Sequence, residues 1–279
     1  MNLDESDVSR LLRLEEVIPA MERALADFSS GTVVQHVRTM LPVAEHQGFL
    51  GLMPAYTGSA LGAKLVAFYS HNIGVPTHHA TILRFRPETG EPLVTVDGRL
   101  ITEVRTAAVS AVATDRLAKF DASVLAIIGS GVQASSHLEA LRLVREFREA
   151  RMWSPRRAAA FAEEHGIDAA TSAEEAVRGA DVVVTATTSP TPASRQHQLR
   201  NTAQLHPSSS MACKADDVPG KWGQLHLQGT VHFLSVRLGS RPYPIRVFKR
   251  IRRIRVLVSQ NHVLLDAVTG KCPKVARES

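Results

Sequence analysis

Val124-Leu125-Ala126-Ile127-Ile128-Gly129-Ser130-Gly131-Val132-Gln133-Ala134 is the stretch from which the architecture follows. Five apolar residues in a row read as a short strand buried on both faces. The next six form G-x-G-x-x-A and open a helix expected over residues 132–146. Gly129 permits the tight turn. Gly131 lets a backbone approach a pyrophosphate, and Ala134 allows close packing of helix on strand. Phosphates would face the free N–H groups of Gly131, Val132 and Gln133, with Ser130 in the same turn. A glycine turn alone is a weak signal, because strand-to-helix turns that bind nothing also contain glycines. The strand before it and the helix after it strengthen the dinucleotide reading.

The alternation continues downstream. A second strand is expected over 150–153. A helix over 155–165 has Ser154 as N-cap and Pro155 at its first position. A shorter helix over 172–178 leads to a very apolar strand over 181–186. This is the β-α-β-α-β-α-β order of half a doubly wound, Rossmann-type parallel sheet. Dinucleotide sites that take NAD usually place Asp or Glu at the end of the second strand to bind the ribose hydroxyls. Here the residues are Trp153-Ser154-Pro155-Arg156-Arg157. No acid is present and two arginines follow, which favours NADP(H) over NAD(H). Arginine–phosphate hydrogen bonds contribute roughly 1.5–3 kcal/mol each. The competing interpretation is that Arg156 and Arg157 are solvated charges on a helix surface.

Upstream the pattern differs. Residues 7–29 carry an apolar stripe at helical spacing, from Leu11 to Phe28. Strand-like runs follow at 33–43, 48–53, 63–69 and 81–85. A hairpin turn over 87–92 leads to a returning strand at 93–96. An Ala- and Val-rich helix spans 102–117. The expected organisation is an α+β substrate and dimerisation domain over 1–118 and an NADP-binding domain over 119–192. Residues 193–279 form a separate basic segment.

The 279 residues carry a net charge of +6, unevenly spread. Residues 1–192 hold 18 Lys and Arg against 23 Asp and Glu; residues 193–279 hold 15 against 4. No apolar run is long enough to span a bilayer. The acidic N-terminus lacks the apolar core of a signal peptide, so a cytoplasmic location is expected. Cys213 and Cys272 are the only cysteines and make no disulfide framework or zinc motif, so no metal is expected.

Several short motifs lie outside the glycine turn. They are Val37-Arg38-Thr39, Gly51-Leu52-Met53-Pro54-Ala55-Tyr56, Lys64-Leu65-Val66, His78-His79-Ala80-Thr81, Asp97-Gly98, Ile101-Thr102 and Arg105-Thr106-Ala107-Ala108-Val109-Ser110. With Gly129-Ser130-Gly131-Val132-Gln133 they resemble the ornithine cyclodeaminase/mu-crystallin family over residues 1–192. The resemblance implies an NAD(P)H-dependent oxidoreductase that reduces cyclic ketimines or acts on small amino acids by hydride transfer. It also implies a homodimer built through the first domain. Carried over residue by residue, Arg38 would hold the substrate carboxylate and Lys64 would serve as a polar or acid–base group beside the reacting atoms. Arg105 would bind carboxylate or cofactor phosphate. Thr77, His78 and Thr187 would touch cofactor or substrate. The bland alternatives are a surface charge for Arg38, an ion pair within the domain for Arg105 and a structural role for His78. The Ser154-Pro155-Arg156-Arg157 segment resembles the NADPH-using mu-crystallin branch.

After Pro192 the resemblance stops, and the family's Asp-containing segment is not recognisable. The sheet is therefore expected to be incomplete and residues 193–279 to be poorly ordered. Two explanations compete: an altered C-terminus from splicing, retained intron or a shifted frame, or a basic partner-binding arm. The Lys/Arg run at 249–255 has little aromatic interleaving, and neither nucleic acid nor membrane is expected as a partner. The alternative to an enzyme is a non-catalytic NADPH- or small-ligand-binding protein, or an inactive isoform.

Overall fold

A computed structural model describes residues 1–187 fully and, beyond them, the backbone of six strands. Most of residues 193–279, including the 249–253 part of the basic run, lies outside the described residues.

The first sheet is built from β1 (Asn2–Leu3), β2 (Val34–Gln35), β3 (Thr39–Val43), β4 (Gly48–Tyr56), β5 (Leu61–Tyr69), β6 (His78–Phe85) and β7 (Pro92–Asp97). Its order is β1-β7-β6-β5-β4-β2, with β3 also paired to β4. The long strands are antiparallel, and Met53, Lys64 and Ile82 stand in register across β4, β5 and β6. Side chains at paired positions share a face. The apolar stripe at the N-terminus forms two helices, α1 (Glu5–Leu11) and α2 (Leu14–Ser29), where one was expected. Asp4 caps α1 through a reciprocal capping box with Asp7. Leu12 and Arg13 are both extended and break the helix between them. Helical spacing cannot report a two-residue break that leaves the stripe in phase. The run expected over 33–43 is likewise split into β2 and β3.

α3 (Arg99–Leu117) follows, three residues earlier than its apolar pattern suggested. Asp97 Oδ1 accepts the Arg99 N–H at 2.9 Å and so secures its start.

The second sheet begins at β8 (Val124–Ile128), where expected, and every residue of β8 is buried. α4 (Val132–Val144), β9 (Glu149–Trp153), α5 (Ala158–His165), β10 (Asp168–Ala169), α6 (Ala173–Val177) and β11 (Val182–Thr185) complete the alternation. The Rossmann-type parallel sheet is therefore present. Ser154 is not the N-cap of α5. Its Oγ accepts the Arg157 N–H at 3.2 Å across a turn, and α5 starts only at Ala158 because Arg157 is not helical. The two-residue strand β10 carries no apolar run and escaped the periodicity.

Leu125, Ile127, Leu138, Leu141, Met152 and Phe161 form the centre of the core between this sheet, α4 and α5. Full burial of such side chains stabilises by roughly 1.5–3 kcal/mol each. Asp181 fastens the start of the layer: its Oδ2 accepts the N–H groups of Ser123 at 3.0 Å and Val124 at 3.1 Å.

The sheet continues past Thr187. β12 (Gln204–Pro207) pairs parallel with β11 in a four-residue register. The backbones of β13 (Gly223–His226), β14 (Val236–Leu238), β15 (Arg241–Tyr243), β16 (Ile254–Val258) and β17 (His262–Ala267) follow. The order is β10-β9-β8-β11-β12-β16-β17-β13, with β14 and β15 as a separate pair. Gln204-Leu205-His206-Pro207 has one apolar residue in four, so neither apolar run nor alternation marked it. Its backbone ladder to β11 supplies the pairing.

Candidate functional site

The strand order reverses direction between β8 and β11, which makes their C-terminal ends a topological switch point. The glycine turn sits there. Gly129 has φ +112°, and a Cβ on it would lie 2.2 Å from the Ala186 carbonyl oxygen. Its N–H donates to Trp153 O at 2.8 Å, while the Ala186 N–H donates to Ile128 O at 2.7 Å. Gly129 is thus required by the fold. Gly131 differs: a Cβ there would meet nothing within 4 Å. It is the N-cap of α4, and among the described residues no side chain caps this helix end. The Ala134 N–H donates to Gly131 O at 2.8 Å, while those of Val132 and Gln133, at the first two positions, have no acceptor within the helix. Gln133 Oε1 is buried and has no hydrogen-bond partner among the described residues. An open surface, a bare helix N-terminus and an unsatisfied buried acceptor suit a dinucleotide's pyrophosphate and ribose. Ser130 is partly exposed, Val132 is exposed, and Thr187 follows β11 at the switch point.

At the end of β9, Ser154 is buried by its turn, whereas Arg156 and Arg157 are exposed. Neither arginine forms an ion pair among the described residues.

The second locus is a cavity of about 320 Å³ between the first sheet, α2 and α3. Met21, Met53, Ile82 and Ile101 give it apolar walls, and Lys64 and Arg105 bring charge to it. The Lys64 Nζ donates to Thr102 Oγ1 at 3.3 Å, and Thr102 donates its own proton to Gly98 O at 2.6 Å. Burial, then the positive charges of Arg105 and Arg38, pushes the Lys64 ammonium down to about 6. Burial and then Arg38 lower Arg105 to about 10. Arg38 is lowered by burial alone, and His78 by burial and then Lys64 and Arg105. The fold therefore gathers Arg38, Lys64, His78 and Arg105 from four separate segments into one electrostatic cluster. Among the described residues, the charges that shift Lys64 are the positive ones of Arg105 and Arg38. A partly desolvated cationic cluster of this kind is chemically suited to an anion. Thr77 is exposed, and its carbonyl accepts the Tyr69 N–H at 2.8 Å, a backbone role in the loop before β6.

Thr102 was not among the functional residues read from sequence. The signal was there: it lies three residues before Arg105 on a helix, hence on the same face. Glu103, Ser110, Ser136 and His137, described below, had no such signal, because they meet only across the α3–α4 contact.

Fold and site together define a nucleotide-fold protein with a doubly wound sheet, a bare glycine turn and a neighbouring cationic cavity. The chain belongs to the ornithine cyclodeaminase/mu-crystallin family, whose model matches residues 1–205. It is 46% identical over 198 residues to ketimine reductase mu-crystallin of Macropus fuliginosus, covering 66% of this chain and 63% of the relative. The matched part is thus less than two thirds of that relative's length. The structure of Thermococcus litoralis Δ1-pyrroline-2-carboxylate reductase in complex with NADH and L-proline is similar, with a TM-score of 0.70 and 34% identity over 75% of this chain and 68% of that one. An archaeal alanine dehydrogenase dimer with bound NAD has a TM-score of 0.69 and 32% identity, covering 74% and 66%.

Proposed function

We propose that this chain is an NADP(H)-dependent oxidoreductase acting on small imine or amino-acid carboxylates, with cyclic ketimines as the leading substrates. One observation carries the proposal: a glycine turn open to a ligand at a sheet switch point occurs in the same chain as a half-buried Arg38–Lys64–Arg105 cluster. Residues 1–118 act as the substrate and dimerisation domain and 119–192 as the cofactor domain. Gly129, Ser130, Gly131, Val132 and Gln133 hold the pyrophosphate, Ser154, Arg156 and Arg157 the adenosine end, and Thr77, His78 and Thr187 the remainder. NADP(H) is preferred over NAD(H) because two exposed arginines, and no acid, follow β9. The bound nicotinamide supplies or accepts a hydride.

Arg38 and Arg105 fix the substrate carboxylate by paired hydrogen bonds. The anion offsets the mutual repulsion of the cluster, so Lys64 regains its proton as substrate binds. Lys64 Nζ then provides that proton beside the imine nitrogen, while Thr102 holds the amine in place. The apolar walls exclude water. The protein works as a cytoplasmic homodimer. The exposed apolar residues Val34, Met40, Leu41 and Leu52 on β2–β4 offer a surface for the second copy.

The test is NADPH consumption by the purified full chain with Δ1-pyrroline-2-carboxylate. Turnover supports the proposal. Absence of turnover, measured beside an active relative, counts against it. A second reading is a non-catalytic NADPH- or small-ligand-binding protein, favoured by the chain's match to only 63% of its mu-crystallin relative. Saturable NADPH binding without turnover would select it.

A further inference from the structure

α3 has two differently used faces. Towards the cavity it presents Ile101, Arg105 and Val109. Towards α4 it presents Glu103, Ala107, Ser110 and Ala111. Ala107 and Ala111 pack with Ala140 of α4 in one cluster, each 0% exposed. Residues this small allow a close approach of the two helices, and two polar pairs cross the contact.

Ser136 of α4 donates to Glu103 Oε1 at 2.7 Å, and its Oγ lies 3.1 Å from Val132 O. His137 of α4 stands 3.1 Å from Ser110 Oγ through Nε2 and 2.7 Å from Gln133 O through Nδ1. A carbonyl only accepts, so Nδ1 carries the imidazole proton. Nε2 therefore accepts from the Ser110 hydroxyl. Ser110, Ser136 and His137 are all buried. The two carbonyls concerned, Val132 O and Gln133 O, belong to the first turn of α4, immediately after the glycines.

Each pair thus ties α3 to the opening turn of α4. The same α3 carries Arg105 on its other side. We infer that Ser110–His137 and Glu103–Ser136 are positioning pairs that make anion binding at Arg105 and dinucleotide binding at the glycine turn interdependent. The inference rests on the oxidoreductase function proposed above. Its physical content is a run of packed and hydrogen-bonded links between two sites, in which the Gln133 carbonyl fixes the proton direction of the Ser110–His137 pair. By linkage, a carboxylate that tightens cofactor binding by some factor is itself tightened by the same factor. None of the four residues faces the cavity, so none is assigned to catalysis.

The experiment uses the full chain and two ligands, NADPH and L-proline. The dissociation constant for NADPH is measured by fluorescence titration with and without saturating L-proline. The wild-type ratio is expected to be about fivefold or more, the lower end of the usual range of such coupling. In Ser110→Ala and in Glu103→Ala, each of which removes the partner atom of its pair, the ratio should fall towards one, while NADPH affinity alone changes by less than about twofold. Ser110→Thr, which keeps the hydroxyl, should restore the ratio. A purely structural role would lower both affinities and leave the ratio intact. A wild-type ratio of one, or a ratio that persists in both variants, overturns the inference while leaving the proposed activity standing. Wild-type protein that binds neither ligand overturns the proposed activity and the inference together.

Discussion

Lys64 of β5 donates to Thr102 of α3 at 3.3 Å, and Thr102 in turn donates to the carbonyl of Gly98. The amine is thereby held over the cavity, beside Arg105, where burial and like charge bring it down to about 6. Near neutrality the empty site therefore contains mostly the free amine. A bound carboxylate raises the affinity of Lys64 for its proton, so binding takes up a proton above about pH 6. Carboxylate affinity should then fall as pH rises from about 6, by at most about tenfold per pH unit. Calorimetry in buffers of different ionisation enthalpy checks the proton uptake. Lys64→Met should abolish both the uptake and the slope; a pH-independent affinity in the wild type would contradict this account.

The two glycines of the turn should respond differently to alanine. At Gly129 a Cβ would meet the Ala186 carbonyl oxygen at 2.2 Å, in backbone of φ +112°. Gly129→Ala should destabilise the fold by about 1–3 kcal/mol or more from strain alone. At Gly131 nothing lies within 4 Å. Gly131→Ala should unfold at nearly the wild-type temperature yet bind NADPH at least about tenfold more weakly, because the methyl group occupies the phosphate's approach. Thermal melts and cofactor titrations separate the two effects.

Arg156 and Arg157 are exposed, and neither makes an ion pair among the described residues, so replacing them removes no internal support. Arg156→Ala/Arg157→Ala should weaken NADPH binding by roughly tenfold to a hundredfold and leave NADH binding nearly unchanged. Equal losses for both cofactors would refute the assignment of the 2′-phosphate to this pair.

His137 is 1% exposed and held neutral, its imidazole lowered to about 4 by burial. In the unfolded chain it titrates near 6.5. The unfolded state therefore binds the extra proton first as pH falls. Stability from this group is complete above about pH 6.5 and is lost as pH drops towards about 4, amounting to about 3 kcal/mol. His137→Asn keeps a donor for Gln133 O and does not titrate. Denaturant unfolding between pH 7 and pH 4 should show a shallower acid loss in this variant than in the wild type.

Much of this was legible in one dimension. The apolar run of β8, the glycine turn and the start of α4 fell at their observed places because their signals are local: burial on both faces, tight turn, helix onset. Arg38, Lys64, His78 and Arg105 were visible as charges in otherwise apolar or motif-like surroundings. The break between α1 and α2 was not visible, since Leu12 and Arg13 leave the apolar stripe intact. Nor was the true start of α5, because Ser154 caps a turn with the same i to i+3 bond it would give a helix.

The residues alone establish a glycine turn fit for phosphate, a strand end with arginines in place of an acid, and lone cations spaced along separate apolar segments. They do not establish that those cations meet. Lys64 reaches Thr102 only because the first sheet packs against α3 through β6, and its lowered proton affinity arises from burial and from neighbours 41 and 26 residues away in sequence, Arg105 and Arg38. Gly129 and Gly131 look alike in the motif, yet Ala186 O crowds one and open space faces the other. The continuation of the sheet through β12 likewise depends on a backbone ladder to β11 and not on side-chain pattern. Desolvation, electrostatic repulsion and ladder pairing are properties of groups brought together, and the chain acquires them only on folding.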